Sequence, residues 1–257
     1  MLLKISIITI NKNNASGLEK TCLSVITQTY QNLEWIVIDG ASEDNSVDII
    51  NKYTDKMTYW VSEPDTGIYN AMNKGIKIAN GEYYLFLNSG DYLIHPWTIE
   101  NVLNEIIKYN SADVYYSDVL GDNYILYSTN KNIDLKYLIN NNLNHQNCLI
   151  KNNLFEKELY DEDYKIISDS YFLIKMLINY DITFCYISNP IAYINGEGYS
   201  NINKELLRKE KSIILNKLNL LNKQKNIFFK FFFILKRSYK FILPYGLYKI
   251  FCRNEKK

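Results

Sequence analysis

The 257-residue chain is 47% hydrophobic and 22% charged with a net charge of +1, which allows a sizeable buried core and excludes extensive disorder. It has no uncharged apolar run of the roughly 18 residues a membrane-spanning helix needs. Its start, Met1-Leu2-Leu3-Lys4, lacks the apolar stretch of a signal peptide, so a cytoplasmic location is expected. The first predicted strand is the β-branched run Ile5-Ser6-Ile7-Ile8-Thr9-Ile10, ended by polar residues Asn11 to Ser16. Leu18, Cys22, Val25 and Ile26 then fall at helical spacing. Trp35-Ile36-Val37-Ile38 reads as a buried strand closing at Asp39-Gly40, followed by a helix from about Asn45 to Tyr53. Tyr59-Trp60-Val61 is a third strand, stopped by Pro64. A helix carrying Ile68, Met72, Gly75, Ile76 and Ala79 follows, and Tyr83 to Leu87 is a fourth strand that closes at Asn88-Ser89-Gly90-Asp91.

Beyond residue 100 the pattern is less regular. Val114-Tyr115-Tyr116 and Tyr124 to Tyr127 predict a hairpin across Gly121-Asp122-Asn123, and His145 to Ile150 predicts another strand. Asp169 opens a helix with apolar Phe172, Leu173, Met176 and Leu177, and Ile182 to Ile187 is again strand-like.

Strands alternating with helices of about a dozen residues imply βαβ units and a largely parallel sheet. Ligands of such sheets bind beyond the carboxyl ends of the strands. Polar residues stand at four of those ends: Thr9 and Asn11, then Asp39, then Glu63 and Asp65, then Asn88 and Asp91. The same residue types also make turns and helix caps, which is the competing explanation for any one of them. A carboxylate rim suits Mg²⁺ or Mn²⁺, and one carboxylate is enough where a diphosphate supplies the other ligands. Glycine-rich dinucleotide and P-loop signatures are absent, as is the GxSxG elbow. The four cysteines are scattered without zinc spacing, and two histidines cannot build a multi-histidine metal centre.

Taken in order, Thr9-x-Asn11, Ile38-Asp39-Gly40-Ala41-Ser42-x-Asp44, Glu63-Pro64-Asp65-x-Gly67-Ile68-Tyr69-Asn70-Ala71-Met72-Asn73-Lys74-Gly75, Gly81-Glu82-Tyr83 and Leu87-Asn88-Ser89-Gly90-Asp91 resemble successive blocks of the bacterial family 2 glycosyltransferases. His145-Gln146 and the stretch from Tyr160-Asp161-Glu162 to Ile167-Ser168-Asp169 resemble later blocks, so that the likeness covers roughly residues 3–200. The resemblance implies an α/β protein of the GT-A fold, a Rossmann-like nucleotide-binding half with a mixed sheet, that inverts the anomeric centre. It implies that Thr9, Asn11 and Asp39 surround the nucleotide base and ribose, with Asp39 accepting a base N–H. Asp65 and Lys74 would line the nucleotide-sugar pocket, with Asn88 beside them, and Asp91 would bind a divalent cation, Mn²⁺ or Mg²⁺. Asp169 would be the catalytic base, and His145 and Gln146 would touch the donor phosphate or the acceptor. Two positions depart from the family pattern. Asn88 and Gly90 stand where acidic residues are common in the metal motif, and Tyr171 stands where a second Asp is frequent.

The charge is unevenly spread: residues 204–257 carry 15 Lys/Arg and 3 Asp/Glu, a net of +12, against −11 for residues 1–203. We therefore expect a GT-A domain over 1–203 and a basic, aromatic-rich, amphipathic helical tail over 204–257. In the tail, Lys230 and Lys236-Arg237 interrupt the apolar run from Ile227 to Leu235, which suits an interfacial position on an anionic membrane. A packed C-terminal helix or a dimer contact is the alternative, and the acidic body opposes nucleic acid binding. The expected activity is transfer of a sugar from a UDP-sugar to a glycan or lipid-linked acceptor in surface polysaccharide synthesis, at the inner face of the plasma membrane. The competing functions are a catalytically degenerate nucleotide-sugar or glycan binder and a nucleotidyltransferase.

Overall fold

Ile5–Asn11 (β1) is buried along its whole length, as its continuous β-branched sequence demands of a central parallel strand covered on both faces. The computed structural model describes residues 3–108, 111–121, 126–127, 132–195 and 203–218. After β1 come Ala15–Ile26 (α1), Leu33–Asp39 (β2), Ser46–Tyr53 (α2), Tyr59–Ser62 (β3), Ile68–Ile78 (α3) and Tyr83–Phe86 (β4). The polar Asn14 closes the first loop by capping α1, its side chain accepting from the Gly17 N–H at 3.1 Å. Tyr92–Leu93 (β5), Thr98–Ile106 (α4), Val114–Tyr116 (β6), Val119–Leu120 (β7), Leu126–Tyr127 (β8) and Leu135–Asn140 (α5) follow. A 3₁₀ turn at His145–Asn147 then leads into Cys148–Lys151 (β9), Asn152–Phe155 (α6), Ser168–Tyr180 (α7), Phe184–Tyr186 (β10) and Ala192–Tyr193 (β11).

The main sheet has seven strands in the order β10-β6-β9-β4-β1-β2-β3. β9 alone runs against its neighbours β4 and β6; the other pairings are parallel. This reversal matters for the site. The amino end of β9, with His145–Asn147 before it, lies at the same rim as the carboxyl ends of the other strands. A smaller, four-stranded sheet has the order β5-β11-β7-β8.

Side chains of β1, β2 and β4 pack on both faces. Ile5, Ile7, Trp35, Val37 and Leu85 join Leu18, Cys22 and Val25 of α1 in one core cluster. On α3, the Cβ of any residue at Gly75 would come within 2.4 Å of Ile8 Cγ2, so glycine lets the helix lie directly on β1. An aromatic cluster supports the later elements: Phe155 stacks on Phe172 of α7 with ring centroids 4.8 Å apart, and Tyr160 meets both rings edge-on.

Two expectations are corrected. Val114–Tyr116 does not form the predicted hairpin with Tyr124–Tyr127; it enters the main sheet between β9 and β10, and Leu126–Tyr127 pairs with Val119–Leu120. The strand expected from His145 starts only at Cys148, because His145–Asn147 coils into the 3₁₀ turn. The chain divides into two compact units, Met1–Glu210 and Lys211–Lys257. In the first, residues 204–210 are helical, and Glu210 ties them to the body by accepting the Lys165 and Ile166 N–H groups at 2.7 and 3.0 Å. In the second, residues 211–218 are helical, and the aromatic part of the basic tail, with the rest of residues 219–257, lies outside the described residues. No helix among the described residues is long and apolar enough to cross a membrane.

Candidate active site

The rim residues form two clusters. At the ends of β1, β2 and β3, Asp39 is fully buried and its carboxylate accepts four hydrogen bonds. Asn11 Nδ2 (2.7 Å) and Ser42 Oγ (2.6 Å) donate to Oδ1, while the Ser42 N–H (2.9 Å) and Ser62 Oγ (2.7 Å) donate to Oδ2. Burial opposes ionisation, and the donors from Ser42, Ser62 and Asn11 overcome it, so the Asp39 pKa is held below the ordinary carboxylate value. The turn carrying Ser42 is strained, with Ala41 at φ +56°. Asp65 lies against this turn: its Oδ1 accepts the Gly67 N–H at 3.0 Å, and a Cβ at Gly40 would fall 2.2 Å from its Oδ2. Glycine at position 40 is what lets that carboxylate approach.

The second cluster gathers at the end of β4. Asn88 to Asp91 form a tight turn, with the Asp91 N–H bonded to the Asn88 carbonyl (3.0 Å) and Gly90 at φ +101°. Thr21 of α1 clamps it, accepting from the Gly90 N–H and donating to the Asp91 carbonyl. The Asp91 carboxylate is 5% exposed; Oδ2 accepts from Gln146 Nε2 and Oδ1 from the Asn195 N–H, each at 2.9 Å. Burial pushes its pKa up to about 6 in spite of those two donors.

His145 stands between this turn and α7. Its Nδ1 is 2.6 Å from Asp169 Oδ2, its Nε2 is 3.1 Å from Asn88 Nδ2, and Phe86 meets its ring edge-on. Asp169 Oδ1 accepts from Tyr69 Oη (3.0 Å) and from the Ser170 N–H (2.8 Å). Burial, and then the adjacent Asp169 charge, raise the Tyr69 pKa well above its ordinary value, so the phenol stays a donor. Asp169 lies in the first turn of α7, whose N-cap residue is Ile167, and its Oδ1 takes up the Ser170 N–H of that turn.

The structure thus joins Asp169, His145 and Asn88 in one chain, Gln146 to Asp91, and Asn11 to Asp39. Two residues stand apart. Thr9 is fully buried below the rim and accepts the Trp35 indole N–H at 3.1 Å, one step of strand pleat short of the rim where Asn11 stands. Lys74 pairs with Glu63 at 2.7 Å and donates to the Pro64 carbonyl, so its charge braces the β3–α3 loop. Tyr171 packs against the Tyr164 ring, so this position supplies no carboxylate. Tyr69, Ser42, Ser62 and Thr21 were not assigned roles from the sequence; Tyr69, Ser42 and Ser62 contact Asp169 or Asp39 and Thr21 clamps the turn. Tyr69 and Ser42 lie within quoted motif blocks, whereas Ser62 and Thr21 carried no sequence signal.

For a cation, the Asp91 turn offers one carboxylate and a second oxygen, Asn88 Oδ1, which is buried without a hydrogen-bond partner. No cluster of three or more His, Cys, Asp or Glu residues able to hold a metal occurs among the described residues. This sparse oxygen set fits Mg²⁺ or Mn²⁺, which take one or two protein carboxylates and draw their other ligands from phosphate and water.

Carboxylates and amides at the carboxyl rim of a mixed α/β sheet, without a glycine-rich phosphate loop, fit the GT-A class of fold. The family model described as glycosyl transferase family 2 matches residues 6–177, and the chain belongs to that family of glycosyltransferases. An uncharacterized glycosyltransferase of Mycobacterium tuberculosis is 44% identical over 93 residues, 36% of this chain and 36% of that protein. The aligned region therefore spans about a third of that relative. A PGL/p-HBAD biosynthesis glycosyltransferase of M. tuberculosis is 30% identical over 209 residues, covering 76% of this chain and 80% of that protein. Among solved structures, S. aureus TarS 1-349 in complex with UDP-GlcNAc matches with a TM-score of 0.66 at 20% identity, over 78% of this chain and 61% of that one. The mannosyltransferase PcManGT from Pyrobaculum calidifontis in complex with GDP-Man and Mn²⁺ matches with a TM-score of 0.58 at 15% identity, over 76% and 57%. Both structures share the fold.

Proposed function

We propose that this glycosyltransferase moves a sugar from a UDP-sugar to a glycan acceptor, in one displacement that inverts the anomeric centre. The observation that carries this reading is the state of Asp169. A carboxylate has about four lone-pair positions. Among the described residues, Tyr69 and Ser170 fill both on Oδ1 and His145 fills one on Oδ2, which leaves one Oδ2 position for an acceptor hydroxyl. As that hydroxyl oxygen bonds to the anomeric carbon, its proton passes to Asp169 and the bond from the carbon to the diphosphate oxygen breaks. Asn11 and Asp39 frame the base and ribose, a base N–H replacing one of the serine hydroxyls on Asp39, and Asp65 borders the same pocket. Asn88 faces the nucleotide-sugar. Thr9 supports this frame from below, and Lys74 holds its outer loop.

A divalent cation, Mn²⁺ or Mg²⁺, held through Asp91 and donor phosphates would neutralise charge on the leaving diphosphate. Its support is the fit of the Asp91 turn and the Mn²⁺ in the PcManGT complex. The UDP donor rests on the UDP-GlcNAc complex of TarS. A lipid-linked acceptor, a role in surface polysaccharide synthesis and attachment to the inner membrane face by the tail after residue 203 rest on the +12 charge and aromatic content of residues 204–257.

The direct test is nucleoside diphosphate release from UDP-GlcNAc with Mn²⁺ by the wild type and by Asp169→Asn. Loss of a general base is expected to lower turnover by about 10²–10⁴-fold. Unchanged turnover in the variant would remove Asp169 from the chemistry.

A further inference from the structure

We infer that His145 is a positioning residue that holds the base and the donor-side turn in one frame, an inference that rests on the reading of Asp169 as the base. The ring touches both sides of the proposed reaction centre. Its Nδ1 lies 2.6 Å from Asp169 Oδ2, and its Nε2 lies 3.1 Å from Asn88 on the turn that carries Asp91. Asp169, as a carboxylate, can only accept, so Nδ1 carries a proton, and with the Asn88 amide nitrogen facing the ring, as in the structure, Nε2 is the acceptor. The ring has little freedom to do otherwise, being only 14% exposed and set edge-on against Phe86.

The placement has a direct consequence for Asp169. Tyr69 and Ser170 both bind Oδ1, on the other side of the carboxylate from the proposed reaction. Among the described residues the His145 N–H is the one donor given to Oδ2, and it fixes which lone pair of that oxygen is left for the acceptor hydroxyl. Through Nε2 the same ring fixes the distance from that lone pair to the Asn88–Asp91 turn. Base and donor turn belong to segments 81 residues apart in sequence, and the reversed strand β9 is what delivers a single side chain to both. Gln146, the next residue, makes the parallel connection to Asp91.

Two half-isosteres separate the contacts. His145→Asn keeps an N–H donor at the position of Nδ1, facing Asp169, and loses the reach to Asn88. His145→Gln places its amide at the position of Nε2 and loses the donor to Asp169. The full-length chain is assayed with UDP-GlcNAc or GDP-mannose and Mn²⁺, with water as the acceptor. His145→Ala is expected to lower kcat by roughly 10- to 100-fold with the donor KM within about threefold of wild type, since misplacement by about 1 Å costs up to 10²-fold. His145→Asn is expected to recover most of that loss and His145→Gln little of it.

A kcat for His145→Ala within about twofold of wild type, alongside an inactive Asp169→Asn, would overturn the positioning role and leave the base intact. A loss confined to KM, or rescue by Gln and not Asn, would also overturn it, making His145 a substrate contact. Full turnover in Asp169→Asn would instead bring down the reading on which the inference rests. A second readout needs no turnover. With two histidines in the chain, a long-range ¹⁵N spectrum should show one ring in the Nδ1–H tautomer, and that ring should change in Asp169→Asn. An Nε2–H tautomer for His145 would overturn the inference.

Discussion

Asp39 and Asp91 close neighbouring parts of one rim, both are buried, and their pKa values are shifted in opposite directions. Asp39, where β2 ends, accepts four hydrogen bonds, and its pKa is lowered. Asp91, beyond β4, accepts two, and burial lifts its pKa to about 6. Burial opposes the charge in both, so the number and kind of donors decides the outcome. The consequence is a division of labour. The Asp39 charge is already satisfied inside the protein and makes a rigid frame, whereas Asp91 keeps unfilled lone pairs and an incompletely compensated charge. The second state is the one that an incoming cation would relieve.

The largest test of this contrast is Asp39→Ala. It strips the acceptor from Asn11, from both donors of Ser42 and from Ser62, and each buried donor left unpaired costs about 1–3 kcal/mol. Hydroxyls that turn to other partners recover part of this, so a loss of about 3–5 kcal/mol in urea unfolding is expected. A loss below about 1 kcal/mol would mean that the frame is not held by Asp39. Next in size is the pH dependence at Asp91 in chelator. Its folded pKa of about 6 lies above the unfolded value of 3.8, so the folded state binds the extra proton between them. Stability from this group is therefore present at low pH and lost as pH rises through 6, by up to about 3 kcal/mol from 1.36 kcal/mol per pKa unit. Between pH 4.5 and 7.5 the wild type should lose about 2 kcal/mol of stability relative to Asp91→Asn, from about 1.5 units at 1.36 kcal/mol each. Added Mn²⁺ should restore stability at pH 7.5 to the wild type alone. Parallel pH profiles for the two proteins would erase the contrast.

The same two regions differ in how far the sequence disclosed them. β1, β2 and β4 were legible because a strand buried on both faces must be an unbroken β-branched or aromatic run, and the polar residues after each run mark the rim. The period of two also misleads there: it puts Thr9 on the same face as Asn11 without saying which reaches the end of the strand, and the Trp35 indole claims Thr9 from below. The motif blocks named Asp91, His145 and Asp169, but not the bonds among them. Tyr69 and Asp169 lie 100 residues apart, and only the packing of α3 and α7 on a shared aromatic cluster brings them into contact. Tyr92–Leu93 and Ala192–Tyr193 are strands of two residues, too short to carry any periodicity. Pairings of that kind are set by tertiary structure.

The smallest test concerns the turn that carries Ser42 to Asp39. Ala41 holds φ +56°, a left-handed conformation that costs an L-residue about 1–2 kcal/mol. Ala41→Gly removes that strain, and the greater freedom of glycine in the unfolded chain takes back about 0.5–1 kcal/mol. The net expectation is a gain of about 0.5 kcal/mol, or roughly 1–2 °C in Tm for a chain of this size. The Ser42 N–H and hydroxyl both bind Asp39, so a looser turn weakens the frame in proportion to its new freedom. A more stable variant with weaker UDP binding would show that the strain at Ala41 serves to hold Ser42 in place. A variant that loses stability would show that the Ala41 methyl packs well enough to outweigh the strain, and the frame would then rest on packing as much as on hydrogen bonds.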